Sequence, residues 1–114
     1  MEQIPDKWLG LKISGDDGST CYRIFASWYG GYLSGDSWRM NSGVVKASLI
    51  DDLYSFEGSS GSIYLCRKNN YGAGGYTWGV LNDMIDKATE INVKVEIMPE
   101  DTDWLSLDYD QQPK

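Results

Sequence analysis

The stretch "YTWGVLNDMIDKATEINVKVEIM", residues 76–98, changes its hydrophobic period midway. Val80, Leu81, Met84, Ile85 and Ala88 recur at intervals of three and four, while Asn82, Asp83, Asp86, Lys87 and Glu90 fill the opposite side. That spacing predicts one amphipathic helix over about 76–90. Thr77 is the candidate N-cap, and Asp83 with Lys87 forms an i,i+4 pair worth ~0.3 kcal/mol. Gly79 weakens the first turn by about 1 kcal/mol relative to Ala, which predicts a close backbone approach there. The period then drops to two: Val93, Val95 and Ile97 alternate with Lys94, Glu96 and Met98, the clearest strand pattern in the chain.

Upstream, the same alternation recurs in short runs. "WLGLKIS" (8–14) sets Leu9, Leu11 and Ile13 against Trp8, Gly10 and Lys12; "GDDG" (15–18) turns it into "TCYRIFASWY" (20–29). In that second run Tyr22, Ile24, Ala26 and Trp28 share one face. Cys21, Arg23, Phe25, Ser27 and Tyr29 share the other, whose mixed character predicts partial burial. "GGYLSGDSWRMNSG" (30–43) has no period and reads as a long loop, with a short extended piece at 37–40. "VVKASLI", Asp51-Asp52 and "LYSFEG" make a hairpin, and "GSIYLCRK" adds a strand after the "GSSGS" turn. After "PEDTD", the run "WLSLDY" (104–109) fits either an edge strand or a short helix capped by Thr102 or Asp103. The expected architecture is α+β: a twisted, meander-like antiparallel sheet of about five to seven strands with the single helix packed on one face. One domain spanning 1–114 accommodates it, with flexible ends at about 1–6 and 110–114.

Charge narrows the function. Seventeen acidic against 10 basic side chains leave the chain at −7, which disfavours direct binding to nucleic acid or to an anionic membrane. The excess is concentrated late: Glu96, Glu100, Asp101, Asp103, Asp108 and Asp110 face only Lys114. A basic partner is the natural complement. No apolar run reaches the ~20 residues of a membrane span and no leader pattern opens the chain, so a cytoplasmic setting with reduced thiols is expected.

Chemistry-bearing constellations are sparse. The chain has no His, which removes the commonest general base and the Ser-His and Cys-His pairs. Cys21 and Cys66 are far apart, without CxxC spacing, and predict neither a zinc site nor a cofactor. If their strands pair, the two thiols lie close together. Cys66 in "IYLCRK" occupies an ordinary sheet position despite the neighbouring Arg67 and Lys68. Asp16-Asp17, Asp51-Asp52 and Glu100-Asp101-Asp103 each fall in a turn, where Asp caps local backbone, so no catalytic pair is expected. "YGAGGY" (71–76) lacks the phosphate-loop pattern and reads as a helix entry.

Rings remain. Five Trp and eight Tyr against two Phe exceed what one small core requires, and Tyr and Trp suit surfaces that are both apolar and wet. The segments "FASWYGGYLSGDSWRMNSGV" and "GSSGSIYLCRKNNYGAGGYTWGVL" resemble small proteins carried by bacteriophages and prophages, over residues 20–82. That resemblance implies an accessory product, a class that includes acidic inhibitors of host defence such as anti-CRISPR and anti-restriction proteins. Three functions follow as expectations. The first is a non-enzymatic protein that binds a basic, nucleic-acid-handling partner. Its contact residues would be Tyr29, Tyr32, Asp36, Trp38, Asp101, Asp103, Trp104, Asp108 and Asp110. The second is a carbohydrate- or small-ligand-binding module that stacks sugar on Trp28, Tyr29, Tyr32 and Trp38. The third is a homo-oligomer that pairs a sheet edge at 93–98 or 104–109.

Overall fold

A computed structural model describes residues 2–30 and 37–109. Its strands are β1 (Glu2–Gln3), β2 (Lys7–Ser14), β3 (Thr20–Trp28), β4 (Ser37–Met40), β5 (Val44–Ile50), β6 (Leu53–Gly58), β7 (Ile63–Arg67) and β8 (Lys94–Ile97). A 3-10 turn, Lys68–Asn70, and one α-helix, α1 (Gly75–Glu90), lie between β7 and β8. The fold is α+β with the helix packed on a sheet, as the periods predict. The strands form two four-stranded sheets, ordered β1-β7-β6-β5 and β4-β3-β2-β8, where a single sheet was expected. Every pairing is antiparallel except β1 with β7.

The reason for two sheets is visible in β2 and β3. Trp8, Leu9, Gly10 and Leu11 are buried in succession, and so are Ile24, Phe25, Ala26 and Ser27. A strand apolar on both faces needs two covers. Register places Trp8, Gly10, Ile24 and Ala26 on one face, where they meet Val44, Phe56, Tyr64 and Cys66 of the second sheet. Leu9, Leu11 and Phe25 occupy the other face and pack with Leu81 of α1, flanked by Met84, Ile85, Val95 and Ile97. The β3 face expected to be partly covered is therefore buried at Cys21, Phe25 and Ser27.

The change of sheet happens at Asn41. Its backbone N–H donates to Ile24 O (3.1 Å), and its side-chain Oδ1 accepts the Ile24 N–H (2.9 Å). One residue thus satisfies both backbone groups of Ile24, β4 can end, and Gly43 at φ 124° turns the chain toward β5.

Local signals are mostly as read. The extended piece at 37–40 is β4, and the β5–β6 hairpin closes through Asp51 and Asp52, with Asp51 at φ 55°. Lys87 and Asp83 pair at 2.9 Å on the exposed helix face. The N-cap is Gly74, not Thr77: Thr77 is buried in the first turn and donates its hydroxyl to Gly74 O (3.0 Å). Gly79 faces open space, so no backbone approaches it. The helix ends where Asn92 adopts φ 61°, with Val93 N–H bonded to Ala88 O and Asn92 N–H to Thr89 O, a Schellman closure.

The expected loose N-terminus is tied down through β1, the buried Pro5, and the bond from Asp6 N–H to Ser27 O. Residues 110–114 lie outside the described residues. Residues 104–108 form neither strand nor helix, and no strand pairs at 104–109, which leaves 93–98 as the sheet edge among the two proposed. Both cysteines are free and buried, in different sheets, Cys21 on β3 and Cys66 on β7.

Candidate partner-binding surface

Residues 99–109 cross the sandwich face of β2 as a strap. Strand pairing runs one residue past β8, with Met98 N–H bonded to Gly10 O (2.8 Å), and turns then take over. Thr102 donates its N–H and hydroxyl to Pro99 O, and Ser106 donates its N–H to Asp103 O and its hydroxyl to Asp103 Oδ2 (2.6 Å). The Thr102 hydroxyl binds local backbone and the Asp103 carboxylate a local hydroxyl, and these turns end the period-two pattern before Trp104.

Trp104 fixes the strap in place. Only 2% exposed, it meets Trp8, Phe56 and Tyr71 at ring distances of 5.5, 5.9 and 6.0 Å. Gly10 is its seat: a Cβ there would stand 2.1 Å from Cη2 and 2.3 Å from Cζ3 of the indole. Trp104 is thus a core residue, and its assignment as a partner anchor is corrected. Two tyrosines clamp the ends. Tyr71 donates its hydroxyl to Met98 O and accepts the Gly10 N–H (3.1 Å). Tyr109 donates to Trp104 O and sets its ring edge-on to Tyr22 at 5.6 Å. Burial raises both phenols, Tyr71 to about 12. Both hydroxyls stay protonated donors at neutral pH.

With Trp104 turned inward, the opposite side of the strap is presented outward. Glu100, Asp101, Asp103, Leu105, Ser106 and Asp108 are exposed, Leu105 by 50%. Among the described residues the ion pairs are Asp83–Lys87 and Lys94–Glu96, so Glu100, Asp101 and Asp103 have no cationic partner within ion-pair distance. Glu100 and Asp101 also wall a groove of about 410 Å³ whose other side is Lys68 and Asn69. Asp101, Asp103 and Asp108, three of the residues named as partner contacts, are all exposed on this one segment. Leu105 and Glu100 are additions, and the Gly within the apolar β2 run was the one available sign that something packs close above it.

Among the described residues, the ring candidates Trp28, Tyr29 and Trp38 do not join this surface. Trp38 lies on β4, at the edge opposite β8, and its register with Ser27 puts it on the α1 side. There it stacks on Phe25 at 5.5 Å and 17° and remains 37% exposed. Tyr29 is exposed, with its backbone N–H bonded to Asp6 Oδ2 (2.7 Å). Trp28 lies on the sandwich side and donates its indole N–H to Ile4 O (2.9 Å). Trp28 and Trp38 therefore belong to opposite faces of one sheet and form no common platform. Tyr32, Asp36 and Asp110 lie outside the described residues.

Burial pushes the Cys66 thiol far above its ordinary value, which leaves it unreactive rather than nucleophilic. Among the described residues no group of three or more His, Cys, Asp or Glu is placed to hold a metal ion, and no helix is long and apolar enough to cross a membrane. No family model, curated protein or solved structure matches this chain.

Proposed function

We propose that the protein is a non-catalytic binding domain that docks a basic surface of a partner protein through residues 99–109. Leu105 acts as the apolar anchor among Glu100, Asp101, Asp103 and Asp108. The observation that carries this reading is the two-sided strap: Trp104 and Tyr109 hold it to the core while its acids and Leu105 face solvent. A surface ordered before contact loses less conformational freedom on binding. Clustered like charge raises association rates and makes them salt-dependent. The partner class is a nucleic-acid-handling protein, because a phosphate-binding surface supplies the basic complement. The resemblance to phage accessory proteins points the same way, toward an inhibitor of host defence acting in the cytoplasm.

The test compares the protein with a variant carrying Asp101→Asn, Asp103→Asn and Leu105→Ser as bait in host lysate at low and high salt. The expected result is a basic protein retained at low salt by the natural chain, released by high salt and absent from the variant, with both baits melting alike. Retention of the same proteins by both baits, or retention insensitive to salt, contradicts the reading.

A further inference from the structure

A second cavity lies on the outer side of the β1-β7-β6-β5 sheet and adjoins the strap groove through Lys68 and Asn69. It measures about 420 Å³, a size suited to a small molecule. Register explains its composition. Leu53 pairs with Arg67 across β6 and β7, while the next pair, Tyr54 with Cys66, turns into the sandwich core, so Leu53 and Arg67 share the outer face. Ile4, just beyond β1, completes an apolar floor with Leu53, and Asp52, Lys68 and Asn70 stand around it.

Hydrogen bonds fix these walls. Trp8 Nε1 donates to Arg67 O (2.7 Å), Trp28 Nε1 donates to Ile4 O (2.9 Å), and Lys68 N–H donates to Asp52 O (2.8 Å). Each anchor is a backbone carbonyl, so the side chains at the cavity are left for a ligand. Among the described residues Arg67 and Lys68 take part in no ion pair, although the chain as a whole carries seven surplus negative charges. Arg67 and Lys68 thus line one cavity with the apolar Ile4 and Leu53, unpaired although Asp52 is also in its wall and Glu100 and Asp101 share the neighbouring groove with Lys68.

We propose that this cavity binds a small organic anion, a carboxylate or phosphate monoester on an apolar body. Arg67 and Lys68 hold the anionic group, Arg67 through the paired N–H donors that fit either head group. Ile4 and Leu53 take the apolar body, and the Asn70 carboxamide supplies a further hydrogen bond. Asp52 on the rim opposes an anion lacking donors, so the site favours ligands that also carry an amino or hydroxyl group. Lys68 and Asn69 also wall the strap groove, so Arg67, Ile4 and Leu53 are the residues that distinguish this cavity from it.

The test is a two-dimensional NMR titration of the 15N-labelled protein with phenyl phosphate, with L-phenylalanine and with neutral benzyl alcohol. It is repeated on the Arg67→Gln, Lys68→Gln double variant. Both substituted side chains are exposed, and a melting curve checks that the variant folds. The expected result is saturable movement of the Leu53, Lys68 and Asn70 amides, with a Kd at or below about 1 mM. At least one anionic probe gives it, benzyl alcohol does not, and the double variant loses it. Which anionic probe binds identifies the head group. No movement with either anion, equal movement with benzyl alcohol, or equal movement in the variant overturns the proposal.

Discussion

Gly10 and Trp104 are a matched pair, and the chain between them depends on the match. A methyl group on Gly10 would occupy the indole's position, so Gly10→Ala is expected to cost about 1–3 kcal/mol by overpacking. The cost should shrink in a Trp104→Phe background, where the smaller ring leaves room. Urea unfolding of the two single variants and the double measures this, and additive costs would show that the two residues do not share the site. The sequence held only half of this pair. A Gly inside an apolar run marks a close approach but does not name the partner, and in "WLSLDY" either Trp104 or Leu105 could have turned inward. Tyr71 adds a pH signature. Its phenol, raised by burial from 10.0 to about 12, favours the protonated folded state. The associated stability is complete below about pH 10 and is lost as pH rises toward 12. Unfolding free energies measured across that window should fall less steeply for Tyr71→Phe than for the natural chain; equal slopes would remove Tyr71 from the alkaline response.

Among elements, those set by local chemistry were legible: the helix from its three-and-four spacing, the hairpin from Asp51-Asp52, and β8 from strict alternation. What alternation cannot convey is which sheet a strand joins. It sorts residues to faces, and in β2 and β3 both faces are apolar, so the count of covering layers emerges only from packing. The division depends on Asn41, a polar residue in a stretch without period, which is 3% exposed. Asn41→Ala leaves the buried Ile24 N–H without its acceptor and should cost about 1–3 kcal/mol. Amide exchange at Ile24 should rise in step. Unchanged protection there would mean that the side chain is not what lets β4 end. The Schellman closure at Asn92 was likewise hidden, because Asn is also an ordinary loop residue.

For the whole molecule, the net charge of −7 makes a basic partner the expectation, and four exposed acids of the strap, Glu100, Asp101, Asp103 and Asp108, are part of that charge. Among the described residues the anticipated rings and acids lie apart: Trp38 is on β4 at the far edge of the sheet on the α1 side, while Asp101 and Asp103 follow β8 at the other edge. Composition reports how many rings and acids a chain has, and only topology decides which of them meet. The central claim is that residues 99–109 are held to the core by Trp104, so that their acids form a fixed surface. Hydrogen exchange read by mass spectrometry tests it most directly on the natural chain and on Trp104→Ala. The account predicts slowed exchange over 99–109 in the natural protein, including the Ser106 amide bonded to Asp103 O, and loss of that protection in the variant while α1 and β5–β7 keep theirs. Exchange over 99–109 at the rate of an unstructured peptide in the natural protein would contradict it.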